Sequence, residues 1–133
     1  MDANTIQGLS RSAHDGSLPF PQIVAALLVE GVEYYRVDFV AMSTTYYGGT
    51  GAVVTTALTF EGLPSIAPEL DVGALKAAIL DSQAHGQTYH RFCERAMRAG
   101  VQGYFAFLRG ERVTYLGRRG DQLVEWFPGA RPV

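Results

Sequence analysis

The sequence predicts an α+β fold made by internal duplication of a helix-helix-three-strand unit, with antiparallel sheets packed against helices. Three observations predict it. Sliding the chain by 69 positions aligns Gly31 with Gly100, Val32 with Val101, Tyr35 with Tyr104, Thr45 with Thr114, Tyr46 with Tyr115, Gly48 with Gly117 and Gly51 with Gly120, seven identities in twenty-one ungapped columns. Before Gly31 and before Gly100 apolar residues recur at helical spacing, and after each glycine they alternate. Turn residues then divide each following segment into three short runs. A three-stranded sheet with one apolar face cannot bury that face alone, and two copies related by a pseudo-twofold axis can. The expected organisation is a single domain of two pseudo-symmetric halves, about residues 1–66 and 67–133.

In the first half, a helix is expected over Thr5 to Ala13. In "FPQIVAALLVEG", Ile23, Ala26, Leu27 and Glu30 follow helical spacing, Pro21 suits a first turn, and Gly31 sits where a left-handed C-cap belongs. From Glu33 to Val40 the period becomes two, so Tyr35, Val37 and Phe39 point to one side and Tyr34, Arg36 and Asp38 to the other. Thr44 to Tyr47 and Ala52 to Phe60 read as strands joined by the turn "GGTG".

In the second half, Asp71 caps a helix from Val72 to Ala84 whose inner face is Leu75, Ala78, Ile79 and Ser82. Thr88 caps the next, with Phe92, Ala96 and Ala99 as its apolar stripe and Gly100 as its end. Strands follow over Gln102 to Leu108, Arg112 to Leu116 and Gln122 to Phe127, with "RGE" and "GRRGD" as turns. Upstream of the glycines the repeat is looser: Asp2 meets Asp71, Ile6 meets Leu75, Phe20 meets Tyr89, and "AHDGSLPF" aligns with "AHGQTYHRF" once a small insertion is allowed. Trp126 is expected in the core, and the tail "GARPV" is expected to fray.

Composition narrows the function classes. A formal charge of −2 leaves no basic footprint, which disfavours nucleic acid as a partner. Cys93 is the only cysteine, so no intramolecular disulfide forms, in keeping with a reducing compartment. The N-terminus has no apolar signal region and no apolar run approaches membrane length, so the expectation is a cytoplasmic protein with no membrane partner.

Among candidate chemical groups, His85, His90 and Cys93 form the only cluster of metal-ligand types. His90 and Cys93 share a helix face, but zinc needs three or four ligands, and His14 or Asp81 would have to complete the set. No metal and no cofactor are therefore expected. Cys93, mid-helix, lacks the N-terminal amides that would activate a nucleophilic thiol. "GGTGAVV" leads into another strand, so no helix N-terminus is present to bind a phosphate.

Asp38 is more informative, because its counterpart in the other half is Phe107. The leading expectation is a noncatalytic small-molecule-binding or regulatory module with a cleft between the repeats, lined by Tyr34, Arg36, Asp38 and Tyr47. Tyr46 is assigned to packing, since Tyr115 recurs at its place. Two alternatives stay open: a small enzyme using Asp38 as general acid or base with a tyrosine hydroxyl, and a homodimer formed through an exposed sheet edge or the Trp126 face.

Together, "FPQIVAALLVEGVEYYRVDF", "TTYYGGTG", "YHRFCERAMRAGVQGYFAF" and "VTYLGRRGDQLVEWFPG" resemble the YdfO-like (YbcV-like) family, small bacterial and prophage-associated proteins sometimes labelled phage envelope protein. The resemblance covers nearly the whole chain. It implies an α+β domain and a bacterial, cytosolic setting, and it carries no catalytic positions to transfer.

Overall fold

The computed structural model describes residues 1–130. The first half comprises α1 (Ala3–Asp15), α2 (Phe20–Val29), β1 (Val32–Asp38), β2 (Ser43–Gly48) and β3 (Val53–Ala57); the second comprises α3 (Val72–Ala84), α4 (Tyr89–Arg98), β4 (Val101–Phe107), β5 (Arg112–Gly117) and β6 (Gln122–Trp126). Every element of the second half begins and ends 69 residues after its counterpart. The small insertion expected between the halves' helices is therefore not needed. Backbone detail repeats as well: among the described residues, Met42 and Glu111, counterparts in the two hairpin turns, are the two non-glycine residues with positive φ, each at 54°.

Local chemistry accounts for the helix boundaries. Asp2 accepts the Thr5 N–H at 3.3 Å, Asp71 the Ala74 N–H at 3.0 Å and Thr88 the Arg91 N–H at 3.1 Å, each satisfying an otherwise orphaned first-turn amide. Gly31 and Gly100 follow α2 and α4 at φ of 85° and 93°, a turn of backbone that releases the chain from helix into strand. β1 stops at Asp38, short of the expected Val40, because Asp38 Oδ1 accepts the N–H groups of Val40 and Ala41 at 2.9 and 3.0 Å and folds the chain into the turn. β3 likewise ends at Ala57 rather than Phe60.

The six strands form one antiparallel sheet in the order β3-β2-β1-β4-β5-β6. The halves thus join edge to edge, β1 against β4, with Tyr34 opposite Phe107, Arg36 opposite Phe105 and Asp38 opposite Gly103. Arg36 and Phe105 are themselves counterparts under the 69-residue offset, so the pseudo-twofold axis passes between them. The expected cleft between the repeats is replaced by a continuous sheet surface, because ladder hydrogen bonds close the junction that a cleft would have left open.

The helices supply the inward core. One cluster joins Leu75, Ala78, Ile79, Phe92, Cys93, Ala96 and Met97 to Val37, Phe39, Tyr104 and Tyr115; the other joins Ile6, Ile23 and Leu27 to Val32, Tyr46 and Leu108. Ser82, expected on the inner face of α3, is exposed and accepts a hydrogen bond from Gln87 Nε2 at 2.8 Å. The outward surfaces of the paired helices differ: α4 carries His90, Arg91, Glu94 and Arg98 where α2 carries Pro21, Gln22, Ala25 and Val29.

Candidate functional site

Strand alternation sends Tyr35, Val37, Tyr46, Tyr104 and Tyr115 toward the helices and the intervening residues to the opposite face, which no element of the described residues covers. This open face has an aromatic run at its centre. Tyr34 on β1 stacks on Tyr47 of β2 with ring centroids 4.8 Å apart and tilts against Phe107 of β4 at 5.8 Å; Phe107 stacks in turn on Phe105 at 5.8 Å. The Arg36 guanidinium lies 5.6 Å from the Phe105 centroid, and that of Arg112 lies 4.1 Å from the centroid of Trp126.

The four residues expected to line a cleft, Tyr34, Arg36, Asp38 and Tyr47, all lie on this face, as two pairs. Tyr34 and Tyr47 form the stack. Arg36 Nη1 is 3.5 Å from Asp38 Oδ2, while Oδ1 is held by the turn amides. Arg36 Nε is buried and has no acceptor among the described residues.

Beside the aromatic run lies an open depression of about 490 Å³, lined in part by Tyr34, Phe107, Arg109, Arg112, Thr114 and Val124. Sequence reasoning did not assign Phe105, Phe107, Arg112, Thr114 or Val124 to the site. The signal that finds them is the same period-two alternation that marked Tyr34, applied to the second half and combined with the β1–β4 register. Trp126, expected in the core, is on the open face because β6 pairs it with Arg112.

The inward face carries phenols and a thiol with no access to solvent chemistry. The Tyr89 and Tyr104 hydroxyls hydrogen-bond to each other, and the Ser10 and Thr56 hydroxyls are 2.9 Å apart. Burial raises the pKa values of Tyr46, Tyr89, Tyr104 and Tyr115. Cys93 is fully buried, and the loss of water around its sulfur pushes its pKa up to about 12. The candidate metal ligands are dispersed into other contacts: His90 stacks on Phe60 at 4.6 Å, and His85, largely exposed, has its Nε2 4.0 Å from Asp81 Oδ1. Among the described residues no three His, Cys, Asp or Glu side chains gather as a metal site. No described helix is long and apolar enough to cross a membrane.

A family model described as "Protein of unknown function (DUF1398)" matches residues 13–125, most of the chain. The chain belongs to the DUF1398 family. In this DUF1398 protein the matched span runs from the end of α1 into β6, so it takes in both halves and the whole aromatic run. No curated protein matches the DUF1398 chain.

Proposed function

We propose that this DUF1398 protein is a noncatalytic binding or regulatory module whose binding surface is the helix-free face of its sheet. The observation that carries the reading is the run Tyr47, Tyr34, Phe107 and Phe105, which lies uncovered across three adjacent strands. The four rings are half-buried and no described helix packs over them, so the run offers an aromatic contact surface to a partner. The run crosses the junction, Tyr34 coming from one half and Phe107 from the other, so residues 1–66 and 67–133 act as one unit. A cytoplasmic, bacterial or prophage-associated setting, in line with the YdfO-like resemblance, belongs to the same proposal.

Support for a noncatalytic role comes from Asp38. Its Oδ1 accepts two turn amides and its Oδ2 lies 3.5 Å from Arg36 Nη1, contacts that give the carboxylate a structural part in the turn and an ion pair. A small-molecule ligand would sit in the depression beside Tyr34, where Arg112 offers a cation to an acid and Arg109 is 3.9 Å from Glu33, which lines the same depression.

The test is a thermal-shift screen of the purified protein against small aromatic carboxylates, run with Tyr34→Ala and Asp38→Asn. Binding to the native state raises the melting temperature. The expected outcome is a stabilisation lost in Tyr34→Ala and kept in Asp38→Asn. Turnover of a screened compound that disappears in Asp38→Asn would establish the enzyme reading instead.

A further inference from the structure

We infer that the depression beside the aromatic run is a seat for one free monocarboxylic acid with a ring-bearing body, its carboxylate held by Arg112; the inference rests on the reading of that face as the binding surface and names the ligand class. The duplication supplies the first argument. The pair Arg112 and Trp126 on β5 and β6 is the counterpart of the pair Ser43 and Ala57 on β2 and β3, and the strands have the same lengths in both halves. A strand pair that forms with serine and alanine in one half does not need a guanidinium and an indole in the other, so the ladder requires neither side chain. Phe107, part of the wall of the depression, likewise stands where the first half has Asp38.

The setting of Arg112 is the second. Its guanidinium carbon lies 4.1 Å from the centroid of the Trp126 ring, and its Nε donates to the Gly110 carbonyl at 3.4 Å, two contacts that together hold the plane of the group. Nη1 and Nη2 make no hydrogen bond or ion pair among the described residues. A planar fork with open donors matches the two oxygens of one carboxylate. Thr114 lies two residues further along β5 on the same face and repeats the contrast between the halves: its counterpart Thr45 has a hydroxyl contact of 3.3 Å with Thr55, while Thr114 faces Val124, which offers its hydroxyl no partner. A second polar atom of a ligand can take that hydroxyl.

Charge is the third. Glu33, Arg109 and Arg112 all line the depression, which sets one carboxylate against two guanidiniums. Arg109 Nε lies 3.9 Å from Glu33 Oε1, so that pair balances itself and Arg112 remains the cation without a carboxylate beside it among the described residues. One negative charge on a ligand completes the balance, and a second would meet Glu33 at like-charge cost. The rest of the wall sets the body of the ligand: Tyr34, Phe107 and Val124 present rings and a branched side chain, and about 490 Å³ is room for a small organic molecule.

The experiment is a titration of the full chain followed by backbone amide NMR, with benzoate, its neutral isostere benzamide and the dianion terephthalate each added up to ~10 mM. Benzoate is expected to shift the amides of Arg112 and Thr114 and to bind about fivefold or more tighter than either analogue. Arg112→Gln, with its fold checked by circular dichroism, is expected to lose the preference for benzoate over benzamide. Glu33→Gln, which leaves the Arg112–Trp126 stack in place, is expected to raise terephthalate affinity about threefold by releasing Arg109. Benzamide that binds as well as benzoate overturns the inference, as do benzoate shifts confined to other parts of the chain or a Glu33→Gln variant whose terephthalate affinity is unchanged. Tyr34→Ala separates the two readings: ring compounds that bind without regard to charge, and only when Tyr34 is present, leave the binding-surface reading standing, whereas no Tyr34-dependent binding of any of the three removes both.

Discussion

Arg36 of β1 lies across the centre of the sheet from Phe105 of β4, its guanidinium 5.6 Å from the ring centroid, and the two are each other's counterparts in the duplicated sequence. A strictly symmetric junction would set arginine against arginine or ring against ring. Divergence of this one pair turns a like-charge contact into an attractive one, so the axis of the fold is held by the very place where the halves differ. Arg36→Ala uncovers the Phe105 ring and leaves Asp38 without its cation. Because the pair is partly exposed, the expected loss is about 1 kcal/mol or less, read from the urea midpoint.

The buried hydroxyl of Thr44 has no hydrogen-bond partner among the described residues, and its counterpart across the repeat is Val113. Replacing the hydroxyl by a methyl of similar shape removes a desolvated polar group and keeps the packing. Thr44→Val is expected to raise stability by about 1 kcal/mol in chemical denaturation.

Gly31 and Gly100 have the same role and different surroundings. A Cβ added at Gly31 meets open space, while one at Gly100 meets the backbone carbonyl of Glu69. Gly31→Ala is expected to cost roughly 1 kcal/mol for its positive φ. Gly100→Ala carries that cost and a backbone clash, so its melting temperature should fall well below that of Gly31→Ala.

Cys93 combines full burial with a thiol pushed up to about 12. In the native protein it is expected to resist a disulfide-exchange reagent at neutral pH and to react at once when denaturant is added. Fast labelling without denaturant would mean that α4 opens readily.

Stability should depend on pH at two ends. His14 lies against Phe60 and Tyr89, with centroids 5.6 Å from each, and burial holds its pKa below the ordinary 6.5, with Asp15 opposing weakly. The unfolded chain protonates this ring at higher pH than the folded one, so stability is full above about 6.5 and declines as pH falls below it. His14→Phe should flatten that slope in thermal melts. At the alkaline end, burial raises the phenols of Tyr35, Tyr46, Tyr89, Tyr104 and Tyr115 above the ordinary 10, so stability is full below pH 10 and is lost as pH rises beyond it. Tyrosinate absorbance for these residues should appear together with unfolding.

Much of this architecture was legible in the sequence. Helix ends at Gly31 and Gly100, caps at Asp71 and Thr88, and the inward placement of Tyr46 and Tyr115 follow from periodicity and turn chemistry, which are properties of a few consecutive residues. Tyr34, Arg36, Asp38 and Tyr47 could be set on one face for the same reason. Tertiary structure alone decided how the halves meet. The β1–β4 ladder joins residues about 69 positions apart in the chain, and hydrogen bonds at that separation leave no local pattern to read. From that pairing follow the continuous sheet in place of a cleft and the joining of Tyr34 to Phe107. Which residues share a side of each strand is written into the chain; how the two halves' sides join into one surface is settled only when they share their sheet.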